Sequence, residues 1–166
     1  DFDFTSLKYV FAGAEKVRAE TRREWSERFG VRVLEGYGAT ECSPVIAVNT
    51  PIECRPGTVG KPLPGVSVEL ESVPGVERGG RLVVSGPNVM LGYLRHSESG
   101  RLQPPEEGRY DTGDVVSRDA DGYLSIEGRV KRFAKIGGEM VSLASVEALA
   151  EALAPEGAHA AVSLPD

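Results

Sequence analysis

GYGATE, residues 36–41, places two glycines around Tyr37 and follows them with Thr40 and Glu41. Backbone N–H groups in a glycine turn can approach a phosphate closely. A Thr40 hydroxyl could donate to a phosphate oxygen. The Glu41 carboxylate suits Mg²⁺, a hard cation that takes oxygen ligands. Tyr37 offers a flat face to a purine. The same six residues also make an ordinary tight turn with a Thr-Glu pair on its surface. YDTGD, residues 110–114, repeats the ambiguity. An acid held after a glycine turn can accept two hydrogen bonds from ribose hydroxyls, or it can mark an Asp-Gly corner between strands. In GRVKRFAKIGGEMVS, residues 128–142, Arg129, Lys131, Arg132 and Lys135 precede a Gly-Gly pair. By itself this reads as a solvated basic loop.

These residues need elements to position them. Residues 7–12 (LKYVFA) form a short apolar run closed by Gly13. Residues 15–29 lack Gly and Pro, and Val17, Thr21, Trp25 and Phe29 recur at i+4, which predicts a helix with one buried stripe. Gly30 sits where a C-cap belongs. Residues 31–34 (VRVL) read as a second strand, so the order predicts a right-handed parallel crossover. GYGATE then lies at the carboxyl end of that strand, where open α/β sheets bind ligands. After Pro51 the texture changes to short β-like runs at 66–70, 81–85, 115–118 and 123–126. Asp121-Gly122 is a hairpin signal between the last two. This region predicts a small, mainly antiparallel barrel or sandwich. Residues 142–153 read as a helix capped by Ser142, with Leu143, Val146, Leu149 and Leu153 on one side. Residues 160–164 begin another strand, and 103–108 (QPPEEG) read as an exposed loop.

Bulk composition limits the function classes. The chain has 166 residues, 40% hydrophobic and 27% charged, which fits a soluble globular protein. A net charge of −6, with a single aromatic, Phe133, among the cations, argues against a nucleic-acid partner. No run reaches the ~18 apolar residues of a membrane helix. Cys42 and Cys54 are not at a zinc spacing and read as free thiols in a reducing compartment. His96 and His159 stand alone as structural or surface residues. The calcium-like echo at Asp119–Gly122 lacks its closing glutamate, so the hairpin reading wins. GTVGKPLPG (57–65) and GPNVMLGYL (86–94) read as structural turns without chemistry.

Each motif alone is weak, but their order is informative. GAE (13–15), GYGATE, GTVGKPLPG, GRLVVSGPNVMLGYL (80–94), YDTGD and GYLSIEGRVKRFAKIGGEMVS (122–142) form one series. It resembles the series of the acyl-adenylate-forming superfamily, which contains acyl-coenzyme A synthetases, luciferases and nonribosomal adenylation domains. The likeness runs over residues 7–163. It is closest to the synthetase part of bacterial bifunctional 2-acylglycerophosphoethanolamine acyltransferase/acyl-[acyl carrier protein] synthetases, through GAEKV (13–17), LEGYGATECSPV (34–45), SVPGVERGGRL (72–82) and KRFAKIGGEMVSL (131–143). Arg132 stands where most of the superfamily has an acid, as in that subgroup.

The resemblance implies a fold of α/β plus β. Residues 1–50 would end the α/β nucleotide-binding part and 51–129 would form the β-barrel-like part. Residues 130–166 would open a small α+β C-terminal domain. It implies ATP-dependent activation of a fatty acid to acyl-AMP with ATP/AMP and Mg²⁺. A phosphopantetheine thiol of acyl carrier protein, or of coenzyme A, then takes the acyl group, and a lysophospholipid is the final acceptor. Gly13, Ala14 and Glu15 would line the adenine and acyl pocket, and Glu35, Gly36 and Gly38 belong to the same nucleotide stretch. Tyr37 would stack on adenine, Thr40 would contact the α-phosphate and Glu41 would hold Mg²⁺. Asp114 would bind both ribose hydroxyls, with Arg129 beside it. Lys131 matches the hinge of the small domain, Lys135 would lie near nucleotide, and Gly137 and Gly138 would flank the pantetheine tunnel. The superfamily's Ser/Thr/Gly-rich phosphate loop and its terminal lysine match no stretch of this chain. The expectation is therefore that the chain alone does not adenylate. The implied location is the cytoplasmic face of a bacterial inner membrane. Three readings stand against this one: an ordinary long-chain fatty acyl-coenzyme A ligase, a non-catalytic nucleotide or interaction module, and self-association through exposed edges and apolar surface.

Overall fold

The computed structural model describes residues 3–164. Strand β1 (Val10–Ala12), helix α1 (Ala19–Phe29) and strand β2 (Val33–Gly38) form the first unit, and β1 and β2 pair in parallel as expected. Strands β3 (Val45–Val48) and β4 (Lys61–Pro62) complete a sheet of order β1-β2-β3-β4. Strands β5 (Ser67–Glu71) and β6 (Gly80–Ser85) follow, then the short pair β7 (Tyr93–Leu94) and β8 (Leu102–Gln103). Strands β9 (Tyr110–Arg118) and β10 (Leu124–Arg129) close an antiparallel sheet of order β10-β9-β6-β5. A hairpin of β11 (Phe133–Ile136) and β12 (Glu139–Ser142) leads into helix α2 (Leu143–Leu153).

One core joins the two larger sheets. Ile46 and Ala47 from the first, with Cys42 from the turn between β2 and β3, pack on Leu82, Val84, Val116 and Leu124 from the second, all fully buried. Burying each of the larger side chains contributes roughly 1.5–3 kcal/mol. Leu124 also exchanges backbone hydrogen bonds with Val59 and Gly60, at 2.8 and 2.9 Å, which ties the β4 side to β10. The sheet β1-β2-β3-β4 runs across position 50 because β3 pairs with β4.

Local end signals held. Gly30 caps α1 in the left-handed region at φ 65°, and the Ser142 hydroxyl accepts from Ser145 N–H at α2. Gly122, at φ 88°, turns the β9–β10 hairpin. Other expectations need correction. Helix α1 starts at Ala19, not at 15, because Ala14 turns left-handed at φ 71° and the Val17 N–H donates to Glu35. Val17 therefore leaves the stripe and Thr21 is exposed, while Trp25 and Phe29 pack with Phe4 at ring separations of 5.0–5.4 Å. The strand expected at 7–12 shortens to Val10–Ala12, and residues 160–164 form no strand. The basic segment holds a β-hairpin rather than a loop. The apolar side of α2 is open: Val146, Leu149 and Leu153 are 43%, 62% and 78% exposed. No helix of the described residues is long and apolar enough to cross a membrane.

Candidate functional site

The largest correction lies in GYGATE itself. Residues 36–38 belong to β2 and pair with β3, so they are not a mobile turn. Their glycines answer a packing demand. A Cβ on Gly38 would stand 1.9 Å from the Pro44 carbonyl oxygen, and one on Gly36 would stand 3.2 Å from the Val48 side chain. The chain entering β3 therefore excludes a side chain at Gly38, and β3 leaves only a tight fit for one at Gly36. Beyond β2, Thr40–Cys42 makes a single 3-10 turn that Ser43 ends in the left-handed region at φ 58°.

YDTGD is likewise in a strand. Residues 110–114 begin β9, and a register shift against β6 between Arg81 and Val83 leaves extra β9 residues opposite Leu82. Gly113 takes φ 71° there. The Thr112 hydroxyl donates to the Leu82 carbonyl at 3.0 Å and accepts from the Asp114 N–H at 3.1 Å. Bulges re-aim side chains, and this one accompanies the turn of Asp114 toward the other sheet. There Tyr37 Oη donates to Asp114 Oδ2 at 2.5 Å. Arg129, the register partner of Asp114 in β10, brings Nε to Oδ1 at 3.0 Å. Asp114 is buried while the Arg129 side chain is open to solvent. Burial first, and the Asp114 carboxylate second, raise the Tyr37 phenol well above its ordinary value. Tyr37 is thus a fixed hydrogen-bond donor. A carboxylate offers about four lone-pair sites, so Asp114 retains acceptor capacity beside these two partners.

Glu41 lies half-buried on the 3-10 turn. Tyr93 Oη donates to its Oε1 at 2.6 Å, and this bond is the main cause holding the Glu41 carboxyl below its usual range. Among the described residues no group of three or more His, Cys, Asp or Glu could hold a metal. A single carboxylate still fits Mg²⁺, which keeps several waters and pairs with substrate phosphates.

The remaining predicted residues fall in three places. Gly13, Ala14 and Glu15 are exposed after β1, and a Cβ on Gly13 would lie 3.4 Å from the Gly36 carbonyl oxygen, so this loop passes the end of β2. Glu35 is buried, and its carboxylate faces α1: it pairs with Arg22 at 2.9 Å and accepts from Val17 N–H at 3.2 Å. Lys131, Lys135, Gly137 and Gly138 are exposed and stand outside the Tyr37–Asp114–Arg129 cluster, with Gly137 and Gly138 forming the β11–β12 turn at φ 59° and 96°. Sequence reasoning missed Tyr93 and Thr112. Both are polar residues inside motifs that it did quote.

The comparisons bear on this arrangement. A family model described as AMP-binding enzyme matches residues 1–94, more than half of the chain. The chain belongs to the AMP-binding enzyme family. It is 35% identical to a long-chain-fatty-acid–CoA ligase of Salmonella typhimurium over 143 residues, covering 82% of this chain and 25% of the relative. A probable 4-coumarate–CoA ligase of Dictyostelium discoideum is 36% identical over 155 residues, 89% of this chain and 28% of that one. The chain thus spans about a quarter of the length of the curated relatives it matches. In structure this AMP-binding family member is similar to the anthranilate CoA ligase AuaEII in complex with anthranoyl-AMP, with TM-score 0.73 and 33% identity over 87% of this chain and 29% of that one. ATP-bound MatB from Rhodopseudomonas palustris gives TM-score 0.72 and 35% identity over 87% of this chain and 30% of that one. The mixed sheets and few helices are part of the adenylate-forming enzyme fold.

Cys42 yields a separate prediction. Burial, and then the Glu41 charge, push its thiol up to about 11. Cys54 is only partly buried. Ellman titration of the native protein is expected to show one accessible thiol, Cys54, with Cys42 reacting only after unfolding. Two equally fast thiols would contradict the packing around Cys42.

Proposed function

We propose that this chain supplies the nucleoside side of a fatty-acid-activating ligase that forms acyl-AMP and passes the acyl group to a phosphopantetheine thiol. The observation that carries it is the Tyr37–Asp114–Arg129 cluster, a buried carboxylate with one neutral and one cationic donor, bridging two sheets. Asp114 would accept from both ribose hydroxyls, with Arg129 paired to its Oδ1. Tyr37 would hold one carboxylate oxygen while its ring faces the purine. Thr40 would donate to the α-phosphate. Glu41 would hold Mg²⁺, which supplies charge neutralisation at the phosphates. Fixed donors and charges of this kind stabilise developing charge without reorganisation. Fatty acid as substrate is supported by the fatty-acid–CoA ligase relatives.

Two acceptors share the same thiol chemistry. The KRFAK stretch at 131–135 and Arg132 support acyl carrier protein, with reacylation of a lysophospholipid at the inner membrane as its extension. In this fold Arg132 pairs with Glu147 of α2 at 2.6 Å. The names of the relatives favour coenzyme A instead. Acyl transfer by the protein that carries this chain, measured with palmitate, ATP and either holo-acyl carrier protein or coenzyme A, separates the two. Faster loading of the carrier protein supports the first reading. Faster formation of the coenzyme A thioester replaces it with the second. Absence of fatty-acid-dependent pyrophosphate release removes both.

A further inference from the structure

GPNVMLGYL reads from sequence as a plain turn, yet it straps the Glu41 turn by three bonds. Asn88 Nδ2 donates to the Cys42 carbonyl at 3.0 Å. Met90 N–H donates to the Glu41 carbonyl at 2.8 Å. Tyr93 Oη donates to Glu41 Oε1 at 2.6 Å. The first two fix the backbone of the turn. Only the third reaches the carboxylate.

Packing alone does not explain Tyr93. Strands β7 and β8 pair over two residues each, and Tyr93 and Leu94 remain 41% and 71% exposed. One face of this pair opens on a cavity of about 560 Å³, lined by Tyr93, Arg95, Arg109 and Tyr110 among others. The Arg95 guanidinium lies 5.9 Å from the Tyr93 ring centroid. A glutamate on a surface turn has three free side-chain torsions, and its carboxylate samples many directions. The short bond from the Tyr93 phenol, with Tyr110 as a second and weaker phenol partner of the same carboxylate, selects one of them. Loss of a group that orients a metal ligand typically costs about 10–100-fold in metal affinity.

We propose that Tyr93 is a positioning residue for Glu41, holding its carboxylate in one orientation for a divalent cation carried by the nucleotide phosphates. The inference rests on the reading of Glu41 as the metal ligand. It adds a residue that touches neither metal nor nucleotide.

The test is Mn²⁺ binding in the presence of ATP, followed by the electron paramagnetic resonance of free Mn²⁺. The protein that carries this chain is compared with Tyr93→Phe, Glu41→Gln and the double variant. AMP affinity without metal is measured alongside. Tyr93→Phe is expected to weaken Mn²⁺ binding about tenfold and to leave AMP affinity unchanged. On the Glu41→Gln background it should add nothing. Mn²⁺ binding unaltered by Tyr93→Phe, beside a loss in Glu41→Gln, overturns the positioning role and leaves Glu41 as the ligand. Equal losses of Mn²⁺ and AMP, or full additivity in the double variant, make Tyr93 a merely structural residue. Mn²⁺ binding unaltered by Glu41→Gln, or absent from the unmodified protein, removes the metal reading of Glu41 and this inference with it.

Discussion

Gly38→Ala is expected to destabilise the protein by about 3 kcal/mol or more in urea or thermal unfolding, the range of a clash that cannot relax. The added Cβ would lie 1.9 Å from the Pro44 carbonyl oxygen and 2.7 Å from its carbon. That oxygen already accepts the Ala39 N–H at 2.8 Å, so it cannot retreat without opening the turn that carries Thr40 and Glu41. The obstacle is backbone, not a flexible side-chain end. Gly57→Ala is the matched control: at φ 84° with no atom within 4 Å, it meets backbone strain alone, about 1 kcal/mol. Equal effects of the two substitutions would show that Pro44, at the entry to β3, does not press on β2 as described.

Asp114→Ala is expected to lower AMP affinity about 100-fold, which corresponds to about 2.7 kcal/mol. Two hydrogen bonds from ribose to an ionised acceptor account for that size. The variant should fold. Arg129 is 71% exposed at its side chain and returns to water, so no cation is stranded. The Tyr37 hydroxyl loses its acceptor in a partly buried place, a cost of about 1–3 kcal/mol. Asp114→Asn refines the test, because it keeps an oxygen for Tyr37 and removes the charge. It should recover most of the stability and little of the AMP affinity. Calorimetry and denaturation on the same three proteins read both effects. If the alanine and asparagine variants bind AMP as the unmodified protein does, Asp114 has no ligand role.

The parts of the fold set by local chemistry were legible in the sequence. Gly30 and Ser142 act at helix ends through their own backbone or hydroxyl, and Asp121-Gly122 turns a hairpin within four residues. Features fixed by distant chain were not. Gly36 and Gly38 look like turn residues until residues 44–48 fold back beside them. YDTGD looks like a corner because Gly113 is left-handed, yet the chain runs on as β9 through a bulge opposite Leu82. Glu35 sits in the nucleotide-motif stretch, and only the fold shows its carboxylate turned to Arg22. Tyr93 reaches Glu41 across 52 positions, a separation that no local pattern encodes. Residue types thus suggested the chemistry proposed for Tyr37, Glu41 and Asp114. The pairing of Tyr37 with Asp114 needed both sheets.

Ribose recognition by Asp114 is the claim on which the functional reading turns. Titration of AMP and of 2′,3′-dideoxy-AMP into the protein and into Asp114→Ala isolates it, since the ligand and the variant remove opposite halves of the same contact. The expected result is a preference for AMP of about 100-fold in the unmodified protein that vanishes in Asp114→Ala. Equal binding of the two nucleotides by the unmodified protein would contradict it.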